Sequence, residues 1–289
     1  MGLRAKFNLV FLAAFAVGFL VAALVLYRVS INNARAQVLE NARIMMTAAN
    51  AIRSYTVNDL DPLLPLDRDG KFVPETVPAY AALKNFKDLQ DAFPGFSYRE
   101  AALNPTNLTN RARDWETDII RVFREEPARQ ELVTERDTPT GPLLHLSRPI
   151  AVRTDTCLTC HGTAAAAPAS LTRTYGSANG FGWKLNETIG AQVLTVPMAL
   201  PLRLAYDAYV TFLVILAAIF AIVLAVMNLL LHYLVIAPVK KVSAMAEAVS
   251  LGDESVESYI KPGKDEISSL SVAFNRMRES LKHAMDLLK

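Results

Sequence analysis

Residues 7–27 read FNLVFLAAFAVGFLVAALVLY, 21 residues without a charge. A helix needs about 20 such residues, at 1.5 Å each, to cross the hydrocarbon core of a bilayer. A second uncharged stretch, residues 208–239, holds TFLVILAAIFAIVLAVMNLLLHYLVI and runs for 32 residues. That exceeds what a buried core helix needs. Both stretches are therefore read as membrane spans. The first has a rival, a cleaved signal peptide with Arg4 and Lys6 as its basic start and Ala34-Arg35-Ala36 as its cleavage site. A signal h-region covers about 7–15 residues, and the Ala-x-Ala lies well beyond the apolar end, so the anchor reading is kept.

The apolar excess is confined to these two stretches. Overall 52% of the 289 residues are apolar and 20% are charged, against about 25% charged in an ordinary soluble domain. That composition excludes a disordered chain. Two cysteines exclude a disulfide-stapled miniprotein. A net charge of +2 gives no compositional support to nucleic-acid binding.

Basic residues beside the spans set the orientation. Arg4 and Lys6 precede the first span, and Lys240 and Lys241 follow the second. Both termini are then cytoplasmic and the intervening segment is outside. Arg28 and Arg203 weaken the bias, with Asp207 beside Arg203. The expected organisation is a cytoplasmic N-terminus (1–6), a first span (7–29), an outer domain (30–207), a second span (208–236) and a cytoplasmic tail (237–289). The setting is a bacterial inner membrane with the outer domain in the periplasm.

Both cysteines lie in Cys157-Leu158-Thr159-Cys160-His161. This is the spacing of c-type haem attachment. One turn of chain brings two sulfurs along one porphyrin edge, and the following imidazole falls under the iron. Three other readings stay open: a redox dithiol, half of a zinc site whose further ligands are missing, and a structural disulfide. The export compartment, where such haem is attached, favours haem c, one per chain, thioether-linked to Cys157 and Cys160 with His161 on the iron.

For the opposite iron face the outer segment offers His145, Met45, Met46 and Met198. Met45 and Met46 lie in an expected helix over residues 38–59, where Val38, Ile44, Met45, Ala48, Ala51 and Ile52 follow helical spacing; core filler competes with ligation there. His145 lies in LLHLSRPIAV, read as a strand within 141–152. Leu144 and Leu146 take one face and His145 the other, which points His145 to solvent. An iron with one open face is a further option. Residues 109–126 read as a helix with Trp115, Ile119, Val122 and Phe123 on one side, and 190–196 as a strand. Tyr175, Phe181 and Trp183 are candidate haem walls. Arg53, Arg148 and Arg173 are candidate propionate partners.

The outer segment resembles the Tll0287-like c-type haem sensor domains over residues 35–205. The resemblance rests on AIRSYT (51–56), LNPTN (103–107), Trp115-Glu116, RPI (148–150), CLTCHG (157–162) and AP (167–168). It rests most heavily on YGSANGFGW (175–183) followed by ETIGAQVLTVP (187–197). It implies a PAS-like α/β fold, an antiparallel sheet flanked by helices, with one covalent haem and redox or diatomic-gas sensing. Some members ligate the distal iron through a cysteine of the N-terminal helix. This chain has no cysteine there, so only the helix face carries over, which favours Met45 or Met46 above His145.

In the tail, Val239, Val242, Ala246 and Val249 are spaced 3-4-3. Ile267, Leu270, Phe274, Met277, Leu281 and Ala284 are spaced 3-4-3-4-3. Both are heptad seams on helices too short to stand alone. Pro238, Leu251-Gly252-Asp253 and DEISSLSVAFNRM (265–277) resemble a HAMP domain. That resemblance implies a homodimer through a four-helix bundle. Little chain follows, so the expected output is a cytoplasmic protein acting in trans, or a C-terminal output domain missing from this chain, which begins with Met1. The fold class expected is an α+β membrane protein. The function expected is a transmembrane haem-based sensor of redox state or a diatomic gas, not an enzyme. The alternative is a membrane-anchored monohaem cytochrome c for electron transfer.

Overall fold

The computed structural model describes residues 2–253 and 255–287. The chain divides into two compact units, Arg28–Ala208 and Met1–Tyr27 with Tyr209–Lys289. One helix, α1 (Leu3–Tyr55), runs from the second of these into the first, and a π-helical turn, Thr56–Leu60, follows it. Nothing in α1 breaks it: the stretch holds no proline, and its lone glycine, Gly18, has open space around it.

The Arg28–Ala208 unit is built on a sheet. A short hairpin, β1 (Asp67–Arg68) and β2 (Lys71–Phe72), turns through Asp69-Gly70, both at positive φ. Such a turn favours Asp-Gly. Helix α2 (Pro78–Ala92) follows, and then β3 (Ser97–Ala102), α3 (Asp114–Glu125), β4 (Leu132–Thr138) and β5 (Gly141–Ala151). Two short helices, α4 (Thr156–His161) and α5 (Ala169–Tyr175), precede β6 (Thr188–Pro197). The main sheet has the order β3-β6-β5-β4, and every neighbouring pair is antiparallel.

Cross-strand register sorts one face of this sheet into rows. Leu144 lies opposite Val196. Leu146, Leu194 and Tyr98 form the next row. Arg148, Gln192 and Glu100 form a third. Helix α1 lays Val38, Ala42, Met46 and Ala49 on the two apolar rows, and α2 adds Ala82 and Phe86. Directly opposed side chains are the unit of sheet stabilisation, and here they also seat the helix. On the other face, Ile119, Ile120 and Phe123 of α3 cover Ala191 and Val193.

The expected strands at 141–152 and 190–196 and the helix at 109–126 match β5, β6 and α3 to within a few residues. His145 differs from expectation. It does take the face opposite Leu144 and Leu146, but α3 covers that face too. His145 is 4% exposed, bonds Thr195 Oγ1 through Nδ1 at 2.9 Å and packs 4.6 Å from the Trp115 ring. A strand buried on both sides carries no solvent face for a histidine.

In the Met1–Tyr27 and Tyr209–Lys289 unit, α1 and α6 (Ala199–Leu230) meet through aromatics. Phe15 stacks on Phe220 at 4.8 Å, and Phe19 meets Phe220 edge-on at 6.1 Å. Asn228 Oδ1 accepts from Asn8 Nδ2 at 3.0 Å and from Arg4 Nε at 3.2 Å. Both helices are long and apolar enough to cross a membrane, and their most apolar windows are unburied. A π-helical turn, Leu231–Ile236, joins α6 to α7 (Ala237–Ser250), whose Pro238 sits in the first turn. Helix α8 (Glu266–Asp286) starts at Asp265, which accepts from Ser268 N as its N-cap. Along α8 the heptad positions Leu270, Met277 and Leu281 are about half exposed.

Burial, with help from Arg136 and against Glu116, holds the His145 imidazole below its ordinary pKa. The folded state therefore binds that proton less readily than the unfolded chain. Stability is lost as pH falls through the ordinary histidine value of about 6.5. Denaturant melts at pH 7.5 and pH 5.5 should show a smaller loss for His145→Phe than for the parent chain.

Candidate cofactor site

The Cys157–His161 motif forms its own helix. Within α4 the three-residue spacing places Cys157 and Cys160 one turn apart, and His161 closes the helix. Both cysteines are free and half-buried. Thr154 Oγ1 lies 3.5 Å from Cys157 Sγ. Among the described residues, no group of three or more His, Cys, Asp or Glu side chains converges as a metal-ion cluster.

His161 is held from one side by a glycine-rich loop. Its Nδ1 lies 2.7 Å from the Gly180 carbonyl oxygen. A carbonyl only accepts, so Nδ1 carries the proton and Nε2 keeps its lone pair. The indole of Trp183 stacks on the His161 ring at 3.8 Å and 14°. Two backbone bonds bind the same loop to the motif: Gly182 N to Gly162 O at 2.6 Å and Trp183 N to His161 O at 3.2 Å. Burial lowers the His161 pKa, and the Gly180 bond offsets part of that. The ring is thus neutral near pH 7, the form that ligates a metal.

A second loop braces the first. Asn104 Oδ1 accepts from Gly180 N at 3.2 Å, and Thr106 Oγ1 is 3.4 Å from His161 Nδ1. Gly180 sits at φ +85, and a Cβ there would lie 2.0 Å from Thr106 Oγ1. Glycine is required by both the dihedral and the close approach. The LNPTN and YGSANGFGW segments are therefore one mechanical unit, aimed at one imidazole.

Arg53, at the end of α1, is brought to this end of the sheet. It lies within electrostatic reach of Cys157. It is also ion-paired with Glu100, which is 5% exposed. Glu100 Oε1 accepts from the Tyr98 hydroxyl at 2.7 Å. Gln192 Nε2 donates to the Tyr98 oxygen and to Asn50 Oδ1, each at 2.8 Å. Burial and the Glu100 charge push the Tyr98 phenol well above its ordinary value. The sequence reading missed Asn50, Tyr98, Glu100 and Gln192. For Glu100 and Gln192 the signal was a charged or polar residue inside strands β3 and β6.

The other candidates are placed as follows. Trp183 is against His161. Phe181 belongs to the same loop, and its carbonyl accepts from Asn104 at 3.5 Å. Tyr175 packs edge-on against Phe72 at 5.9 Å. Arg173 donates to Gly70 O, and Arg148 to Glu131. Met46 is fully buried in the core with Leu144, Leu146 and Leu194, and Met45 packs against that same cluster. That is the packing of core filler, and ligation would withdraw either side chain from it.

Two thiols one turn apart on a helix, followed by an imidazole whose Nε2 is left free, fit a covalently attached haem. The donor set thus defines a class: a helix-flanked antiparallel-sheet domain with a Cys-x-x-Cys-His motif, joined to apolar spans and a two-helix tail. Residues 31–197 match the Tll0287-like family and residues 230–283 match the HAMP domain. The chain belongs to the Tll0287-like family. One solved structure similar to it is the crystal structure of the cyanobacterial heme-protein Tll0287, at 19% identity and TM-score 0.43, covering 55% of this chain and 94% of that one. No curated protein matches the chain.

Gly180→Ala should strain the backbone by about 1–3 kcal/mol and push the carbonyl away from His161. A lower unfolding midpoint, together with a changed His161 ring-nitrogen resonance, is the expected result. In the buried pair, Glu100→Ala leaves Arg53 without its counter-charge and should cost about 3 kcal/mol or more in denaturant melts.

Proposed function

We propose that the chain is a transmembrane signalling sensor carrying one haem c per outer domain, thioether-linked to Cys157 and Cys160 and ligated by His161. The observation that carries this reading is the hydrogen bond from His161 Nδ1 to the Gly180 carbonyl, which leaves Nε2 free beside two unpaired thiols. Metal-bound histidines are oriented by such a second bond. When bound, haem supplies a one-electron redox centre and an iron able to take a diatomic gas. The rest falls to the chain's own residues. Gly180 fixes the His161 tautomer, Trp183 holds the ring plane, and Arg53 supplies positive charge near the Cys157 edge. Phe181 and Tyr175 are read as outer wall.

The outer domain is read as PAS-like and periplasmic, with both spans crossing the inner membrane and both termini in the cytoplasm. Support comes from the basic residues Arg4, Lys6, Lys240 and Lys241 at the span ends. The signal is redox state or a diatomic gas. It is carried by two connections. Helix α1 packs on the sheet and is continuous with the first span, and β6 passes at Pro197 into α6. A ligand or electron shifts this equilibrium only through its different affinity for the two states. The half-exposed heptad positions of α8 support a homodimer through the HAMP pair, which acts on an output protein in the cytoplasm. Electron transfer as the sole role would leave the HAMP pair without a task.

Purified full-length chain should keep a haem spectrum after denaturing electrophoresis. Cys157→Ser with Cys160→Ser should lose it, whereas His161→Ala should keep the attachment and change the ferrous spectrum. A chain without covalent haem overturns the reading. Hydrogen exchange on the oxidised and reduced forms then separates sensing from electron transfer. Redox-dependent protection in residues 38–55 and in the tail is the expected sensor result. Protection unchanged away from Cys157–His161 would favour the cytochrome.

A further inference from the structure

Three of the seven residues in 176–182 are glycines at positive φ, namely Gly176, Gly180 and Gly182. Glycine enters such conformations freely, so its own backbone preference does not hold it there. Yet the acceptor for His161 Nδ1 is a carbonyl of this stretch, Gly180 O at 2.7 Å. The direction of that carbonyl has to be set by partners outside the stretch.

Downstream the partners are backbone: Gly182 N donates to Gly162 O and Trp183 N to His161 O. Upstream the partner is a single side chain. Gly180 N donates to Asn104 Oδ1 at 3.2 Å, and Asn104 Nδ2 donates to Phe181 O at 3.5 Å. The peptide unit between Gly180 and Phe181 carries the carbonyl that meets His161. Asn104 thus bonds the groups flanking that unit, and no other side chain among the described residues bonds to either. Pro105, next in the chain, disfavours a helical backbone at Asn104. The alternative acceptor for the ring is Thr106 Oγ1, 3.4 Å from Nδ1. If the Gly180 carbonyl turned away, a short bond would give way to a long one.

We propose that Asn104 is a positioning residue for His161. By fixing the Gly180 carbonyl it sets the strength of the Nδ1 hydrogen bond and, through the ring, the basicity of Nε2. Such a second bond raises the basicity of a ligating histidine, and hydrogen bonding around a ligand is one of the protein's levers on haem potential. A more basic Nε2 favours ferric iron, so Asn104 lowers the reduction potential. The effect on potential rests on the haem reading above, whereas the positioning of the ring does not need haem.

Two measurements test this in the full-length chain, on the parent, Asn104→Ala and Asn107→Ala. Asn107 lies in the same LNPTN segment, but its side chain accepts from Thr109 N and Oγ1. Its loss loosens the segment without removing a bond to the glycine stretch. The first measurement is solvent exchange of the His161 Nδ1 proton, by nitrogen-15 histidine NMR in a Cys157→Ser, Cys160→Ser chain purified without haem. With four histidines in the chain the spectrum is sparse. The second is a redox titration of the haem-loaded chain. Asn104→Ala should speed the exchange about tenfold, what one net hydrogen bond is worth, and move the ferric–ferrous balance severalfold toward ferrous. Asn107→Ala should change neither, even where it lowers the unfolding midpoint. Parent-like exchange or parent-like potential in Asn104→Ala overturns the proposal, and so does an equal change in Asn107→Ala. Should Asn104→Ala not fold, Asn104→Asp decides by exchange, since it keeps the acceptor for Gly180 N and loses the donor to Phe181 O. Faster exchange then upholds the proposal and unchanged exchange overturns it. Should no chain carry haem, the haem reading fails, and exchange alone decides the role of Asn104.

Discussion

Helix α1 has to lie on the sheet in one register, and most of the outer domain follows from that. Its Val38, Ala42, Met46 and Ala49 recur every three or four residues, so they form a single stripe. The stripe meets two apolar rows built by Leu144, Leu146, Leu194, Val196 and Tyr98. Non-directional burial of this kind supplies the affinity but would tolerate sliding. The third row removes that freedom. Asn50 and Arg53 must meet Gln192 and Glu100, and a shift of one turn would leave a buried carboxylate unpaired. Apolar rows hold the helix, and the polar row sets where it stops.

The same row lies at the end of the sheet where β5 leads on to the cysteine helix. Here the domain uses polar contacts in place of a hydrophobic core. Gly180, Asn104 and Thr106 grip His161 through backbone and amide groups, and Trp183 covers its ring. Among the described residues, these contacts engage Nδ1 of the ring and leave Nε2 without a hydrogen-bond partner. Two loops bonded to each other provide that better than one, since each removes the other's freedom. The left-handed backbone at Gly180 is the local cost of bringing them together.

In the other unit, aromatic stacking and amide hydrogen bonds join α1 to α6. Phe15 stacks on Phe220, and Asn228 accepts from Asn8 and Arg4. Between apolar helices in lipid, packing and hydrogen bonds replace the hydrophobic effect as the associating force. The heptad positions Leu270, Met277 and Leu281 of α8 stay about half exposed, so a single chain leaves part of that apolar seam uncovered.

Much of this protein was legible in its residues alone. The length of the two apolar helices, the helical stripe of α1 with its period of 3.6, and the one-turn spacing of Cys157 and Cys160 are each local constraints. β3 and β4 were not legible. SYREAA and LVTERDT carry charges that break the alternation, and those charges make sense only once Arg99 meets Glu116, Glu100 meets Arg53, Glu135 meets Arg35 and Arg136 lies over Trp115. The fate of His145 was likewise hidden, because alternation tells which face a residue takes but not whether a helix covers it. Among the candidate site residues, Cys157, Cys160 and His161 lie together because they are neighbours in the chain. Trp183 and Gly180 reach His161, and Met46 reaches the core, only through folding. Sequence thus determined what depends on near neighbours and on solvent. The tertiary structure decided which polar groups are paired and which faces are covered, because those depend on partners far away in the chain, 142 positions for Asn50 and Gln192 and 220 for Asn8 and Asn228.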